Sequence, residues 1–421
     1  MFETSESYDS GLPMKPETAR RILDEVDYEF ERKAPPEWYP DVPRIPAARY
    51  SDPDFFALEQ QAFRKCWFTV GTVHELTEVG SYNLVDRWNG AAIFVVRGED
   101  NEIRGFWNAC AHRGGPVLTG EDGHCGVEQR LQCAIHSWTY GLDGKLVGLP
   151  GRRDFHENLD RNAAGLPAVR CEVWRGFIFV NLDLDAPDLI DWLGPVADEA
   201  TWFDGLRSVG SSSFVLNCNW KLAIEANIEV YHVTTVHPDT VALTIDYRGS
   251  AEELYQRGHS RMIVPDKDYD SQKTRKAAED DPVFALMRNS NVSYLMFPNH
   301  LTPGGARADG TVSMTLQSFW PISPNQTLSE WSVMVPDWGE GPPPEKSSAV
   351  VDGYTRIMHE DTGYLEHVQK AIESGAIKGL LTSYHERRVY HHEASIDRMI
   401  GVEHVPEHLR VQQILPVVDE N

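Results

Sequence analysis

The sequence predicts an α+β chain, with a small all-β domain followed by a larger domain that combines an antiparallel sheet with long helices. Three patterns predict it. Short β-rich runs separated by Gly, Asp and Asn turns follow one another from Trp67 to Asn108. Three longer runs, Val292 to Phe297, Thr311 to Trp320 and Leu328 to Val335, alternate apolar and polar residues as strands of an antiparallel sheet do. Past Pro342-Pro-Pro, residues Ser347 to Ser374 keep a 3.6-residue period that puts Tyr354, Ile357, Met358, Leu365, Val368 and Ile372 on one helical face.

Taken in order, the chain opens with an acidic segment, residues 1–44. Pro16 starts a helix in it and Ala34-Pro-Pro stops it, leaving an extended arm expected to pack on the larger domain. A helix from Asp54 to Lys65 leads into the β-rich runs. The runs around Cys171 to Leu182 close the first domain, and Ala186-Pro-Asp marks the boundary. Leu189 to Phe203 reads as an amphipathic helix, and Ser212 to Leu216 as a strand. Tyr247 to Asp280 is polar and charged, which predicts a mobile loop near the mouth of a site.

Two stretches carry chemistry. In the first domain, Cys110-Ala-His112 and Cys133-Ala-Ile-His136 lie on short loops and supply two thiolates and two imidazoles. That set suits either a tetrahedral zinc or a two-iron cluster with one all-Cys and one all-His iron. Cys125, between the two halves, reads as a free thiol.

The second stretch runs from Asn219 to His237. On an ideal helix Glu225, Glu229 and His232 would share one face with Leu222, and a carboxylate buried there without a partner is costly, so a cation is expected. His237 lies five residues past His232, and both reach one ion only if the helix ends or deforms between them; Pro238 supports an ending. The spacing differs from that of the zinc motif His-Glu-x-x-His. Asp361 falls inside the late apolar helix face, whereas Glu360 points to the other side. With His232 and His237 it completes a 2-His-1-carboxylate set, the ligand pattern of non-haem Fe(II) sites.

Composition bounds the rest. The 421 residues, 41% of them apolar, are enough for two domains with a large core. A formal charge of -25 disfavours nucleic acid and anionic membrane as partners. Six cysteines do not make a dense disulfide framework in a chain this long. No apolar run has the length of a signal core or a membrane span, so a soluble, cytoplasmic protein is expected.

Cys110, His112, Cys133 and His136, followed by Asn219-Trp-Lys, Glu229-x-Tyr-His232, His237 and Glu360-Asp361 with Gln369, give nearly the whole chain a family likeness. It resembles the alpha (terminal oxygenase) subunit of the Rieske non-haem iron oxygenases, the ring-hydroxylating dioxygenases and their N- and O-demethylase relatives. The resemblance implies a Rieske [2Fe-2S] domain over residues 45–185, holding the cluster through Cys110, Cys133, His112 and His136. It implies a helix-grip catalytic domain over 186–421, holding Fe(II) through His232, His237 and Asp361. Electrons would come from NAD(P)H through a separate ferredoxin or reductase, and O2 would be activated at the Fe(II) to hydroxylate an aromatic or other small organic substrate. Oxidative N- or O-dealkylation, for example of a quaternary amine, is the alternative. An electron-transfer Rieske protein without oxygenase activity and a helix-grip binding module are more distant readings.

The resemblance further implies a homotrimer, possibly with a separate beta subunit. There Glu229 would bridge a cluster histidine of one subunit to the iron histidine of its neighbour. Most ring-hydroxylating members have Asp at that position, whereas carnitine and betaine oxygenases have Glu. The order Glu225-Ala226-Asn227 also displaces the family's usual Glu-Asn by one residue. Arg104, Arg113, Arg130, Arg152 and Arg153 would offer an acidic ferredoxin a basic patch. Phe297, Phe319 and Trp320 would either line the substrate pocket or pack the core.

Overall fold

The computed structural model describes residues 14–88, 91–119, 123–124, 130–161, 163–306, 312–345 and 347–418. Cys125 and the first part of the acidic N-terminal segment lie outside them.

Helix α1 (Pro16–Glu31) has Pro at its first turn and buries Ala19, Ile22, Leu23 and Val26, one face at helical spacing. That face packs against elements of the second half of the chain, and Arg21 pairs with Glu253 at 2.6 Å. After the short strand β1 (Ile45–Pro46), α2 (Pro53–Phe63) is capped by Asp52, whose side chain accepts from the Asp54 and Phe55 amides.

The first sheet contains β2 (Phe68–Thr72), β3 (Ser81–Trp88), β4 (Ala91–Arg97), β5 (Ile103–Trp107), β6 (Gly123–His124), β10 (Ala168–Trp174) and β11 (Phe177–Asn181). Its strands are antiparallel, in the order β2-β11-β10-β5-β4-β3-β6. A small sheet of β7 (Leu131–Gln132), β8 (Thr139–Tyr140) and β9 (Leu146–Gly148) sits beside it.

Instead of one amphipathic helix from Leu189 to Phe203, two short ones form, α3 (Leu189–Leu193) and α4 (Pro195–Glu199), with a 3-10 turn at Thr201–Phe203. Gly194, at φ 52°, and Pro195 break the helix; the apolar spacing continues across the break because both pieces cover one core.

The second sheet is β12 (Leu206–Leu216), β13 (Ala251–Leu254), β14 (Ser260–Pro265), β15 (Ser290–Met296), β16 (His300–Ala306), β17 (Val312–Ser323) and β18 (Gln326–Pro336). It runs β12-β18-β17-β16-β15-β14-β13, with antiparallel neighbours throughout. Helices α5 (Trp220–Glu225) and α6 (Val233–Val236) connect β12 to β13, and α7 (Ser271–Ala278) and α8 (Pro282–Arg288) connect β14 to β15. After β18 come α9 (Ser347–Thr362), α10 (Leu365–Glu373), β19 (Gly379–Leu380), which pairs back with β1, and α11 (Arg387–Ile400). The late periodic stretch is therefore two helices, parted at Gly363 and Tyr364.

The segment Tyr247 to Asp280, expected as a mobile loop, supplies β13, β14 and α7. The charges on its strands, Glu252, Glu253 and Arg261, are buried in pairs: Arg261 reaches Glu199 at 2.7 Å and Glu253 at 2.6 Å, and Glu252 faces Arg387 at 3.5 Å. Polar composition reads as loop only when the charges face water, and these face one another.

One apolar core runs through both halves. Phe68, Ile93 and Val95 of the first sheet join Trp220, Phe319, Trp320 and Trp331 of the second region. His300 of β16 is a polar tie across this seam, its Nε2 accepting from the Thr69 amide of β2 at 3.2 Å, and Arg87 meets Glu330 at 2.8 Å. Phe297 and Phe319 are core residues. No helix among the described residues is long and apolar enough to cross a membrane.

Candidate cluster and metal sites

Cys110 and Cys133 head two similar loops. The Cys110 amide donates to the Gly115 carbonyl and the Gly114 amide back to the Cys110 carbonyl; the Cys133 amide donates to Trp138 and the Ser137 amide to Cys133. Gly114, at φ 72°, and Ser137, at φ 56°, take the left-handed conformation that closes each loop. Both thiols are buried and unpaired by disulfide. The imidazoles of His112 and His136 come together at the open end, with ring centroids 4.6 Å apart, and His112 stacks on Trp138 at 4.9 Å.

Two buried thiols heading similar loops and two adjoining imidazoles are a donor set that fits a cluster with an all-Cys and an all-His iron. Tyr140 Oη lies 3.0 Å from Cys110 Sγ and accepts from the Ala111 amide at 3.1 Å, so it can donate to that sulfur. Burial and the adjacent Cys110 raise the phenol above its ordinary range. Gly115 fits closely beside Cys133, since a Cβ there would stand 3.3 Å from Cys133 Sγ and 2.4 Å from Ile135.

The second site is built where a helix fails to continue. Asn219 caps α5 by accepting from the Lys221 amide, and its own amide donates to Gln369 Oε1 of α10 at 2.9 Å. Lys221, fully buried, meets Glu59 of α2 at 2.8 Å. So anchored, α5 stops at Glu225, and the chain turns before α6 with His232 and His237 at the two ends of α6.

The expectation of one helical face for Glu225, Glu229 and His232 is therefore corrected. Glu225 turns to Tyr50, whose hydroxyl lies 2.9 Å and 3.0 Å from its two carboxyl oxygens. Burial and the neighbouring Glu393 push Glu225 well above the usual carboxylate range. It is a buried group held by Tyr50 and stands apart from the two histidines.

His232 Nε2 lies 3.3 Å and His237 Nε2 2.6 Å from the same oxygen, Oδ1 of Asp361 on α9. One possible ligand atom from each of these three residues lies within 4.8 Å of the others. The outer ring nitrogens are held as well: His232 Nδ1 by Glu229 Oε1, and His237 Nδ1 by Glu360 Oε2 at 2.8 Å. Glu360 is fixed in turn by Thr240 at 2.5 Å and Arg356 at 2.9 Å.

Glu360 thus sits against the site and not on the far side of its helix. Adjacent helical positions diverge by about 100°, but the His237 ring enters between them and offers a nitrogen to each carboxylate. Residue adjacency to Asp361 was the available signal. Two imidazoles and one carboxylate converging, with both outer nitrogens hydrogen-bonded to carboxylates, is a donor set and an outer shell suited to a divalent metal that keeps open positions. Burial alone would lower the His232 imidazole, but hydrogen bonds to Asp361 and Glu229 outweigh it and push it up to about 10.

A cavity of about 260 Å³ opens beside these residues, between α6, α9 and the inner face of the sheet. Phe297, Phe319 and Trp320 do not line it; Met262, Val264, Leu301 and Ile357 do, with the polar residues Ser293 and Gln317. These last two had no signal in the sequence beyond their alternation.

Comparison with known proteins matches residues 66–164 to the Rieske [2Fe-2S] domain and residues 203–402 to the ring hydroxylating alpha subunit (catalytic domain). The glycine betaine monooxygenase oxygenase subunit of Chromohalobacter salexigens is 36% identical over 206 residues, 48% of this chain and 45% of the relative. The 2-aminobenzenesulfonate 2,3-dioxygenase subunit alpha of Alcaligenes sp is 29% identical over 67% of this chain and 72% of the relative. For the anthranilate 1,2-dioxygenase large subunit of Acinetobacter baylyi the figures are 30%, 61% and 55%. The chain thus spans about half the length of most of these curated relatives.

Two solved structures share the fold. The quaternary ammonium Rieske monooxygenase CntA in complex with L-carnitine has a TM-score of 0.68 at 21% identity, over 88% of this chain and 99% of the other. Naphthalene 1,2-dioxygenase from Rhodococcus sp. has a TM-score of 0.70 at 20% identity, over 93% and 99%. A Rieske domain thus precedes a ring-hydroxylating alpha-subunit catalytic domain in this chain, and the relatives it resembles are Rieske oxygenase subunits.

Proposed function

We propose that this chain is the terminal oxygenase component of a multicomponent Rieske system. The observation that carries the proposal is the convergence of His232 Nε2, His237 Nε2 and Asp361 Oδ1 beside a partly open, largely apolar cavity, on the same chain as the Cys110, His112, Cys133 and His136 loops. Cys110 and Cys133 would hold the inner iron of a [2Fe-2S] cluster, His112 and His136 the outer one, and His232, His237 and Asp361 an Fe(II). When bound, the cluster supplies single electrons and the Fe(II) open positions for O2 activation.

The protein's own part is positional. Glu229 and Glu360 accept the outer ring protons of His232 and His237, which fixes each imidazole with its Nε2 lone pair turned inward. Tyr140 directs a hydroxyl at Cys110. The aliphatic cavity wall excludes water around the substrate. In this reading Glu229 also serves as the electron bridge between subunits of a homotrimer, contacting a cluster histidine of the neighbour, and a beta subunit is a possible addition to that assembly. Electrons come from NAD(P)H through a separate ferredoxin or reductase, and the protein works in the cytoplasm.

The reaction we favour is hydroxylation of an aromatic or other small organic substrate, as part of aromatic compound breakdown. Oxidative N- or O-dealkylation is the second reading, supported by Glu229 in the position where betaine and carnitine oxygenases also have Glu, and by the betaine and carnitine monooxygenase subunits among the relatives. Incorporation of labelled O2 into product, with ferredoxin and reductase supplied, tests the proposal. Reduced cofactor consumed without labelled product would refute it.

A further inference from the structure

The cavity beside His232, His237 and Asp361 carries two polar atoms that no protein group satisfies. Gln317, 4% exposed, has its Nε2 3.4 Å from Thr315 Oγ1, but its Oε1 has no partner. Ser293, 5% exposed, likewise has a hydroxyl without a partner.

The sheet register brings the two residues to one wall. Ser293 of β15 is opposite Pro303 of β16, and Leu301, two residues earlier on β16, is opposite Gln317 of β17. Positions two apart on a strand and positions directly opposite share a face, and all four residues line the cavity. A polar group buried without a partner is costly, and such groups are satisfied by water or by a ligand.

The rest of the lining limits that ligand. Among the described residues around the cavity there is no Lys or Arg, the side chains that recognise a carboxylate or sulfonate. Tyr354 is the one aromatic ring there, too little for a cage around a quaternary ammonium. The carboxylates of Glu229 and Asp361 are engaged by the histidines. Met262, Val264 and Leu301 supply apolar wall, and Asn227, Thr244 and Asn291 add neutral polar groups.

Resting on the oxygenase reading above, we infer that Gln317 and Ser293 are specificity-determining residues that select a small uncharged substrate bearing one hydrogen-bonding group, such as an amide or alcohol, on an apolar body. The polar end sits on the β15 and β17 wall and the apolar body fills the space toward the histidines. An anion finds no Lys or Arg along this wall, and a purely apolar compound leaves Gln317 and Ser293 unpaired.

The test is anaerobic calorimetry on the iron-loaded protein with four probes of similar size: benzamide, benzoate, benzyltrimethylammonium and toluene. Benzamide is expected to bind about tenfold more tightly than toluene and than either ion. Gln317→Leu should remove the margin over toluene, weakening benzamide and strengthening toluene, and Ser293→Ala, a smaller change, should reduce it. Either ion binding as tightly as benzamide, no benzamide binding, or an undiminished margin in both variants would overturn the inference. Iron analysis of the same preparation separates the two claims: protein that keeps its cluster but takes up no mononuclear iron refutes the oxygenase reading, whereas iron-loaded protein that prefers benzoate refutes only the selectivity.

Discussion

At the scale of single residues, the carboxylates around the histidines divide into two kinds. Asp361 shares one oxygen between two Nε2 atoms, while Glu229 and Glu360 hold the outer nitrogens. Asp361→Ala is therefore expected to lose the mononuclear iron and keep the cluster absorbance, as iron analysis and visible spectra will show. Glu360→Ala should weaken iron binding by about 10- to 100-fold, the usual cost of removing an outer partner of a ligating histidine, measured by competition with a chelator. The grouping of His232, His237 and Asp361 was legible in the sequence because two histidines and an aspartate stand at positions an ordinary core cannot absorb. The role of Glu360 was not, because helical phase locates a side chain on its own helix and says nothing of an imidazole inserted from elsewhere. Glu225 was misplaced for the related reason that α5 ends just there. Because burial and Glu393 disfavour its charge, it should tolerate Glu225→Gln with little change in melting temperature, whereas Tyr50→Phe removes a buried donor and should cost about 1 kcal/mol.

At the scale of elements, buried polar residues set the terms. Lys221 on α5 lies against Glu59 of α2, both fully buried. Lys221→Met would strand that carboxylate and is expected to destabilise the fold by roughly 3–5 kcal/mol, read from denaturant unfolding. Four histidines on the second sheet and α11 are also fully buried. Burial pushes His259 and His392 down to about 4, and His300 and His391 down to about 3. The unfolded chain titrates near 6.5, so as the pH falls below that value it takes up protons that the folded chain refuses. Stability should thus be full above about pH 6.5 and fall steadily below it, by roughly 1 kcal/mol per histidine at pH 5.5. Melting temperatures across pH 5 to 8 will show the slope. Strands and helices with clean alternation or period, such as β17, β18 and α9, were readable in advance. β13 and β14 were not, because their glutamates and arginines satisfy one another inside the fold, and composition carries no record of pairing.

At the scale of the whole molecule, the two families of elements were separable in the sequence, but their packing was not. Nothing in the runs around Phe68 or Ile93 distinguishes an internal core residue from one that meets Trp220 and Phe319 across a seam. Because one apolar cluster spans both sheets, heating should bleach the cluster colour and abolish the circular dichroism of the helices in one coincident transition; two separate transitions would show that the halves are independent. The same seam bears on how freely such chains exchange parts. The His300 ring accepts the Thr69 amide, and Arg87 grips Glu330, so the first sheet has been fitted to one particular partner surface. A hybrid joining this [2Fe-2S] module to a relative's iron module should misassemble unless the seam residues travel with it, making the two modules inherited as a matched pair and not as interchangeable cassettes.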